Sequence, residues 1–384
     1  MIQNKKVFIV AGEASGDIIG AKIIDSLKRE MPHIEFKGIG GREMERRGLK
    51  SILPIEKLSI MGFAELIPHL LKFAKYLKHT EKKIKSFNPD IVITIDFPGF
   101  NFRLVKKLKN QIDAKFVHIV APSVWAYNPQ RSAKVAKLYD LLLTLLPFEP
   151  PYFTKYGLKT EYIGHPIFEQ DFSRNPKAFK KKHQIPAKAE VICVTPGSRD
   201  GEIKKHMAVF AKALSLLGSK YKIFVLFTLN KAKDKVLVEQ FMQATSLDYT
   251  CVLGDEKLDS FAASDVALAK SGTNVLEILA SGTPAIVAYK VNFLTYLYMK
   301  SKVLVKFVNL VNIIANQEII PEFIQSDCSP VKLANGLAKY IENDKLAEIQ
   351  VEESRDAMKK IGLGSKMTSS SRAAKIIVKE FLSI

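Results

Sequence analysis

Short apolar runs rich in β-branched residues recur along the chain, and each is followed by a turn and then by a helical pattern. Most runs are apolar at every position, which is typical of parallel strands covered by helices on both faces. The runs span residues 7–10, 91–95, 116–120, 141–145, 191–195, 223–228, 249–253, 266–269 and 285–289. Their alternation with helices predicts an α/β protein of doubly wound layers.

The length of the chain predicts more than one domain. It has 384 residues, whereas single hydrophobic cores stop growing at roughly 250–300 residues. The strand pattern is weakest over residues 169–188, which hold a Pro and a run of lysines and end near Pro186. We therefore predict one domain over 1–168, a second over 169–345, and a helical tail over 346–384.

The net charge of +19 indicates an anionic partner, which could be nucleic acid, a membrane surface or a phosphorylated substrate. A merely solvated basic surface is the alternative. Three widely spaced cysteines, Cys193, Cys251 and Cys328, lack metal or redox spacing and are typical of reduced thiols in a cytosolic protein. No apolar stretch reaches the roughly 18 residues of a membrane-spanning helix, so we expect any membrane association to be peripheral.

The loop after the first run has the sequence Gly-Glu-Ala-Ser-Gly-Asp. Ligands of open α/β sheets bind beyond the carboxyl ends of the strands. The glycines do not have dinucleotide-binding spacing, and the carboxylate of Glu13 would repel a pyrophosphate. The pattern favours a loop that binds sugar hydroxyls through Gly12, Glu13, Ser15, Gly16 and Asp17. The alternative is a tight turn in which Ser15 or Asp17 caps a helix.

Two further loops of the first half carry chemistry. Asp96 follows a very apolar strand, where partial burial can raise the pKa of its carboxyl and suit it to act as a general base. A turn-initiating Asp is the equal alternative. Ser123 and Trp125, in the loop after residues 116–120, suit a sugar ring or an acyl chain, although a lone Trp is as often a packing residue.

The second half has two loops suited to phosphate. Gly197, Ser198 and Arg199 offer backbone N–H groups at a helix start and a fixed cation. Ser271, Gly272 and Thr273 precede a helix that carries Glu277, whose carboxylate can accept from both hydroxyls of a ribose. This pairing predicts a site for a nucleoside diphosphate, against the alternative of a capped helix with a solvated Glu.

Other classes of site lack their motifs. The sequence has no Asp-x-Asp and no His/Cys cluster, so no metal site is expected, and it has no G-x-S-x-G of a serine hydrolase.

A basic amphipathic segment runs from Leu66 to Lys85 after an apolar loop. The pattern groups Leu66, Leu70, Leu71, Ala74 and Leu77 on one helix face and lysines on the other. On pattern alone a core-facing helix is slightly favoured. The alternative is a helix that lies on an anionic bilayer.

Taken together, these motifs resemble one family, the bacterial lipid-A-disaccharide synthases, which are inverting glycosyltransferases of family 19. The resemblance rests on segments that occur in order over nearly the whole chain: VAGEASGD from Val10, MGFAE from Met61, IDFPGFN from Ile95, SVWA from Ser123, LPFE from Leu146, YIGHP from Tyr162, PGSR from Pro196 and SGT from Ser271.

The resemblance implies a GT-B fold, in which two Rossmann-like domains face a central cleft and the final helix packs back on the first. It implies transfer of 2,3-diacylglucosamine from UDP to the 6-hydroxyl of 2,3-diacylglucosamine 1-phosphate, giving a β-1,6 disaccharide with inversion. No metal and no cofactor is expected, since UDP is carried by the donor. The acylated substrates shift the interpretation of the basic segment toward a peripheral contact with the inner membrane, and a homodimer is possible.

The resemblance also assigns residues. Asp96 matches the catalytic base, and Glu277 and Asn312 match positions at the UDP site. Asn101 belongs with Gly12–Asp17, Ser123 and Trp125 on the acceptor side, and Met61, Phe63, Leu66 and Leu70 would face the membrane. Some members have a second acid where this chain has Gly99, and an Arg is common where it has Lys290.

Three alternative functions stay open at this point. The chain could be another UDP-sugar enzyme of the GT-B fold, either a peptidoglycan N-acetylglucosaminyl transferase or a UDP-sugar 2-epimerase. A basic nucleic-acid-binding protein is the non-enzymatic alternative. It is disfavoured because the lysines are scattered and no nucleic-acid motif is present, so no nucleic-acid partner is expected.

Overall fold

A computed structural model describes residues 5–59 and 66–382, and side chains at 59, 66–70, 293–295 and 298 are outside the description. The chain divides into two compact units. The first unit comprises the described residues of Met1–Glu169 and of Gly364–Ile384, and the second comprises Gln170–Leu363. The sequence-based boundary at 168/169 differs from this division by one residue.

The described part of the first unit contains one parallel sheet. Its strands are β1 (Lys5–Ala11), β2 (Ile34–Ile39), β3 (Lys50–Ser51), β4 (Ile91–Ile95), β5 (Lys115–Ile119), β6 (Leu141–Thr144) and β7 (Lys159–Tyr162). Their order is β3-β2-β1-β4-β5-β6-β7, with Ile9 beside Ile93 and Ile93 beside Val117. The order reverses direction between β1 and β4, which makes the loops after these two strands the expected ligand position.

Helices connect these strands. They are α1 (Ala14–Glu30), α2 (Arg42–Glu45), α3 (Glu56–Ser59), α4 (Leu66–Phe87), α5 (Pro98–Leu108), α6 (Val124–Tyr127), α7 (Arg131–Ala136) and α8 (Pro151–Thr154). Side chains from strands and helices form one buried cluster, which includes Phe8, Val92, Phe100, Phe116 and Phe153. The central strands β1, β4, β5 and β6 are buried over most of their length, as the apolar runs in their sequences predict.

The second unit has its own parallel sheet. Its strands are β8 (Glu190–Thr195), β9 (Ile223–Leu229), β10 (Asp248–Leu253), β11 (Val266–Lys270), β12 (Ala285–Tyr289) and β13 (Glu322–Ile324), in the order β10-β9-β8-β11-β12-β13. Here the reversal falls between β8 and β11. The helices are α9 (Pro176–Lys182), α10 (Asp200–Gly218), α11 (Asp234–Met242), α12 (Lys257–Ala262), α13 (Asn274–Ala280), α14 (Phe293–Lys300), α15 (Leu310–Ala315), α16 (Pro330–Ile341) and α17 (Asp344–Lys359).

The end of the chain returns to the first unit. Helix α18 (Ser369–Ile377) packs on α1, and a π-helical turn, Val378–Leu382, follows it. The Glu169 carboxylate accepts hydrogen bonds from the N–H and the hydroxyl of Ser370, at 2.7 and 2.9 Å. We predicted that residues from 346 onward belong with the first unit. The structure starts this segment at Gly364, because α17 packs on α13, α15 and α16.

The α/β prediction is confirmed, and every run named as a strand is one. The strands that the sequence missed are β2, β3, β7 and β13. Strands β3, β7 and β13 lie at sheet edges, and β2 alternates buried Ile34 and Phe36 with exposed Glu35. Short or alternating strands lack the continuous apolar run that marks a covered strand.

The predicted apolar face of helix α4, which grouped Leu71 and Ala74 with Leu77, is wrong. Phe73, Leu77 and Ile84 are buried in the core, whereas Leu71 is 88% exposed and Ala74 is also exposed. Six residues correspond to about 600° of helical rotation, which is about 240° beyond one full turn. Leu71 and Leu77 therefore lie on different faces of the helix. Met61 and Phe63 lie outside the described residues, as do the side chains of Leu66 and Leu70. No helix within the described ranges is long and apolar enough to cross a membrane.

Candidate active site

The loop after β1 packs tightly against the loop after β4. A Cβ atom added to Gly12 would lie 2.3 Å from Cδ1 of Phe97, so only glycine fits at this position. Gly16 is also buried, with Ala11 and Ile95 around it. Glu13 is half-buried and Ser15 is exposed at the start of α1. The two loops thus form one compact surface at the carboxyl ends of these strands.

Asp17 has a structural use. Its carboxylate is buried and accepts from the backbone N–H groups of Gly41, Glu43 and Met44, at 2.8, 3.0 and 3.1 Å. These groups begin α2, where the first N–H groups of a helix lack partners within it. Asp17 therefore does cap a helix, although not its own, and we place it behind the surface formed by the two loops.

Asp96 and Phe97 adopt left-handed backbone conformations, with φ of +46° and +49°. Each such non-glycine residue costs about 1–2 kcal/mol. Strain of this kind collects at functional sites, where the surrounding structure holds it in place. An ordinary turn-forming Asp also tolerates this conformation, whereas Phe97 does not favour it, so the strain indicates a functional loop and the role of Asp96 as a base stays a prediction.

The Asp96 carboxyl is half-buried, and its pKa is raised above the ordinary value because burial penalises the charged form. The backbone N–H of Phe97 opposes this effect by stabilising the carboxylate. A carboxyl with a raised pKa holds a proton more strongly and so is a better general base at neutral pH.

Asn101 supports this turn from below. It is fully buried, and its side-chain NH₂ donates to the backbone carbonyls of Asp96 at 2.7 Å and Ile95 at 3.3 Å. Its Oδ1 has no hydrogen-bond partner among the described residues. We predicted that Asn101 lies on the acceptor side. In the structure its side chain binds the backbone of the Asp96 turn and so stabilises the strained conformation.

A third strained residue begins the loop after β5. Val120 has φ of +76°, which is a genuine outlier for a β-branched side chain. The loop continues through exposed Ser123 to half-buried Trp125 on α6. Strained residues therefore mark the exits of two adjacent strands, β4 and β5.

Glu149 follows β6, and sequence reasoning named it only as the last residue of the LPFE segment, without a role in the site. Its side chain is 4% exposed, and its carboxylate accepts from Nε1 of Trp125 at 3.1 Å and from the N–H of Leu146 at 3.0 Å. Burial raises the pKa of the Glu149 carboxyl to about 7. The signal available in the sequence was an acidic residue inside the otherwise apolar stretch 141–153.

In the second unit, the loop after β8 is built around Gly197, whose φ is +131°. The Glu202 carboxylate accepts from the N–H of Ser198 at 3.2 Å and lies 3.3 Å from Nζ of Lys270. Burial opposes ionisation of Glu202, but Lys270 and the Ser198 N–H outweigh it, so the pKa is lowered. Arg199 is exposed beside this loop, where its cation can reach an anionic ligand.

The loop after β11 is joined to β8. Nδ2 of Asn274 donates to Oγ1 of Thr195 at 2.6 Å, which holds the start of α13 beside the end of β8. Gly272 and Thr273 are exposed and Ser271 is half-buried. Both predicted phosphate loops thus lie at the reversal of strand order in the second sheet.

Glu277 is buried and already engaged. Oε2 accepts from Nζ of Lys257 at 2.6 Å and Oε1 accepts from Nε2 of Gln170 at 3.1 Å. A carboxylate has about four lone-pair positions, so these bonds leave capacity for a ribose hydroxyl. The assignment of Glu277 to the nucleotide stays a prediction.

Asn312 has no such capacity left. It is fully buried. Its NH₂ donates to the carbonyl of Ile320 and to Glu322, and its Oδ1 accepts from the N–H groups of Ile319 and Ile320, all at 2.8–2.9 Å. These four bonds use every donor and acceptor position of an amide. Asn312 therefore positions the segment that leads into β13, and its predicted place at the UDP site stays a prediction.

No group of three or more His, Cys, Asp or Glu side chains that could hold a metal ion occurs within the described ranges.

Comparison with known proteins identifies the family. A family model described as lipid-A-disaccharide synthetase matches residues 7–377. The lipid-A-disaccharide synthase of Rickettsia prowazekii is 44% identical over 381 residues, covering 98% of this chain and 100% of the relative. That of Rickettsia akari is 45% identical over 380 residues, covering 98% and 96%.

Solved structures define the fold. The UDP-GlcNAc 2-epimerase of Neisseria meningitidis aligns with a TM-score of 0.66 at 14% identity, covering 99% of this chain and 100% of that one. A glycosyltransferase of Rickettsia africae aligns with a TM-score of 0.61 at 14% identity, covering 99% of both chains. With the two parallel sheets, these likenesses identify a two-domain Rossmann-like GT-B fold. From the family model and the close relatives, this chain belongs to the lipid-A-disaccharide synthetase family.

Proposed function

We propose that this chain transfers 2,3-diacylglucosamine from UDP to the 6-hydroxyl of 2,3-diacylglucosamine 1-phosphate, with Asp96 as the general base. Membership of the family makes the chain a glycosyltransferase that forms the lipid A disaccharide. The observation that carries the role of Asp96 is its strained left-handed backbone beside Phe97, at the strand exit where ligands of such sheets bind.

In the proposed reaction, Asp96 takes the proton of the acceptor 6-hydroxyl as its oxygen attacks the anomeric carbon of the donor. The new C–O bond forms on the face opposite UDP, the bond to UDP breaks, and its electron pair leaves with the diphosphate. Attack from the opposite face inverts the anomeric centre and gives the β linkage. Base assistance of this kind contributes about 10²–10⁴-fold. Because Gly99 stands where some relatives have an acid, one carboxylate is assigned the whole task.

The donor half of the proposal places UDP at the two loops of the second unit. The backbone N–H groups of residues 197–199 and 271–273 and the cation of Arg199 would stabilise the charge that develops on the departing diphosphate. We expect no metal in this role. The ribose would meet Glu277, whose position is already fixed by Lys257 and Gln170.

A peripheral membrane contact through α4 completes the proposal. Leu71 is 88% exposed, and Lys72, Lys75 and Lys78 are exposed beside it. An exposed leucine among lysines suits an anionic bilayer, where each nearby lysine contributes about 1 kcal/mol. Acylated substrates give the enzyme a reason to work at such a surface.

The reaction is tested with purified protein, UDP-diacylglucosamine and the 1-phosphate acceptor in detergent, with disaccharide measured by mass spectrometry. We expect product from the parent and a loss of about 10²-fold or more in kcat for Asp96→Asn. Asp113→Asn is the matched control, since Asp113 is an exposed Asp in the same unit. An Asp96→Asn variant as active as the parent would remove the proposed base.

The same assay separates the alternative enzymes. A UDP-sugar 2-epimerase should turn over UDP-N-acetylglucosamine without an acceptor, and a peptidoglycan transferase should require a lipid-linked muramyl acceptor. The likeness to the epimerase, at 14% identity, supports a shared fold only. Turnover of UDP-N-acetylglucosamine alone would contradict the proposal.

A further inference from the structure

A buried carboxylate joins the loops after β5 and β6 in the first unit. Glu149 accepts from Nε1 of Trp125 with one oxygen and from the N–H of Leu146 with the other. Its side chain is almost completely removed from solvent. The mechanism proposed above makes no use of this group, and burying a carboxylate is costly unless its hydrogen bonds repay it.

The contacts of Trp125 indicate what the carboxylate is for. An indole N–H needs only one acceptor, which a backbone carbonyl or a neutral amide could supply. When it is ionised, the carboxyl accepts a hydrogen bond roughly twice as strong as a neutral acceptor does. The indole also meets the ring of Phe148 edge-to-face, with centroids 5.2 Å apart and planes at 90°. Two contacts from the segment after β6 thus set both the position and the rotation of the indole.

The indole of Trp125 is fixed by these contacts but remains partly exposed to solvent. Trp125 is half-buried, while its neighbours Ser123 and Tyr127 are exposed. The N–H edge has a buried partner, as indole N–H groups usually do, while the residue as a whole keeps partial exposure. A half-buried ring that is fixed on one edge can present the rest to a ligand, and aromatic faces suit sugar rings and acyl chains.

We infer that Glu149 is a positioning residue that holds the indole of Trp125 in place to bind the acylated sugar acceptor. This inference rests on the proposed function and on the predicted place of Trp125 on the acceptor side. Glu149 itself contacts no substrate. It acts through Trp125, so its loss should weaken acceptor binding and leave the donor and the chemical step little changed.

The chain supplies its own reporter, because Trp125 is its only tryptophan. In Glu149→Gln the side chain keeps one carbonyl oxygen and can satisfy one of the two N–H groups, but not both. We expect a shifted tryptophan emission maximum and stronger quenching by acrylamide in the absence of substrate. The KM for the acceptor should rise about 10-fold, as expected for loss of a charged hydrogen bond, with kcat and the donor KM within about 2-fold.

Glu161→Gln is the matched control, because Glu161 is an exposed glutamate on β7 of the same unit, and it should alter neither readout. Trp125→Phe keeps an aromatic ring and removes the N–H. It should raise the acceptor KM by a similar factor, and adding Glu149→Gln to it should cause no further rise. Additive effects in this cycle would mean that Glu149 does not act through Trp125.

Each outcome decides the inference. An unchanged emission spectrum and an unchanged acceptor KM in Glu149→Gln would overturn it, and so would equal rises in both KM values. If Glu149→Gln does not fold by circular dichroism, Trp125→Phe alone decides, and an unchanged acceptor KM overturns the inference. Absence of disaccharide from the parent would instead count against the proposed function, because the fluorescence measurement needs no turnover.

Discussion

Asp96, Phe97 and Val120 have positive φ angles at the exits of the neighbouring strands β4 and β5. Asn101 holds the first of them by bonding the carbonyls of Ile95 and Asp96, and Gly12 leaves room for the ring of Phe97. The sequence placed an acid at the end of a buried strand, and the structure adds the strain, the support and the desolvation that make this acid a candidate base.

The raised pKa of Asp96 leads to a prediction about pH. A general base works when it is deprotonated, so kcat/KM should rise with pH through the pKa of this carboxyl and then level off. Because burial raises that pKa, the acidic limb should have its midpoint above about 4, the ordinary value for Asp. A pH profile of disaccharide formation measures it, with protein stability checked at each pH. A midpoint below 4 would contradict the desolvation argument.

Two helices of the first unit begin at a carboxylate that lies far away in sequence. Helix α2 begins at three N–H groups that Asp17 satisfies from α1, and α18 begins beside Glu169, which bonds Ser370. In both cases a carboxylate stabilises the positive end of a helix that is distant in sequence.

Asp17→Asn tests whether Asp17 is structural. The amide keeps one acceptor oxygen and loses the charge, so the free energy of unfolding should fall by about 1–2 kcal/mol. The acceptor KM should stay within about 2-fold of the parent value. Urea unfolding followed by circular dichroism gives the first quantity and the transferase assay the second. A large rise in acceptor KM with unchanged stability would return Asp17 to the binding site.

Helix α4 offers a matched pair of substitutions for the membrane contact. Leu71→Ser removes an exposed leucine and should weaken binding to anionic vesicles by about 10-fold or more, since burying a leucine side chain is worth about 1.5–3 kcal/mol. Its stability should not change. Leu77→Ser removes a core side chain and should destabilise the protein instead. Vesicle sedimentation and thermal unfolding separate the two effects, and unweakened vesicle binding by Leu71→Ser would count against the contact.

At the scale of the whole molecule, the two sheets follow one plan. Each is parallel, each reverses its strand order once, and each carries the predicted ligand loops at that reversal. The basic charge of the chain suits the phosphate groups of both substrates and an anionic membrane surface.

Metal independence is a prediction about the whole reaction. Arg199 and the backbone N–H groups of the second unit are expected to stabilise UDP, so excess EDTA should change the rate of disaccharide formation by less than about 2-fold. The assay is run with EDTA and then with added Mg²⁺. A loss of activity that Mg²⁺ restores would contradict the prediction and assign the diphosphate to a metal.

The sequence alone determined the α/β class, the covered central strands and the glycine-containing loops that follow them, because continuous apolar runs and glycine-rich turns are local signals. Short edge strands such as β3 and β13 lack these signals, and the membership of α17 in the second unit depends on packing with α13, α15 and α16. These features are decided by contacts between distant parts of the chain.

The same division holds for the site. The sequence predicts Asp96 as a base and two phosphate loops because each residue type suits that chemistry at a strand exit, and these roles stay predictions. Only the tertiary structure decided that Asp17 and Asn312 have structural hydrogen bonds and that Glu149 holds Trp125. The physical reason is that the use of a polar side chain is set by the partners it finds in space. The partners of Asp17 lie 24 or more residues away in sequence, and Trp125 lies 24 residues from Glu149.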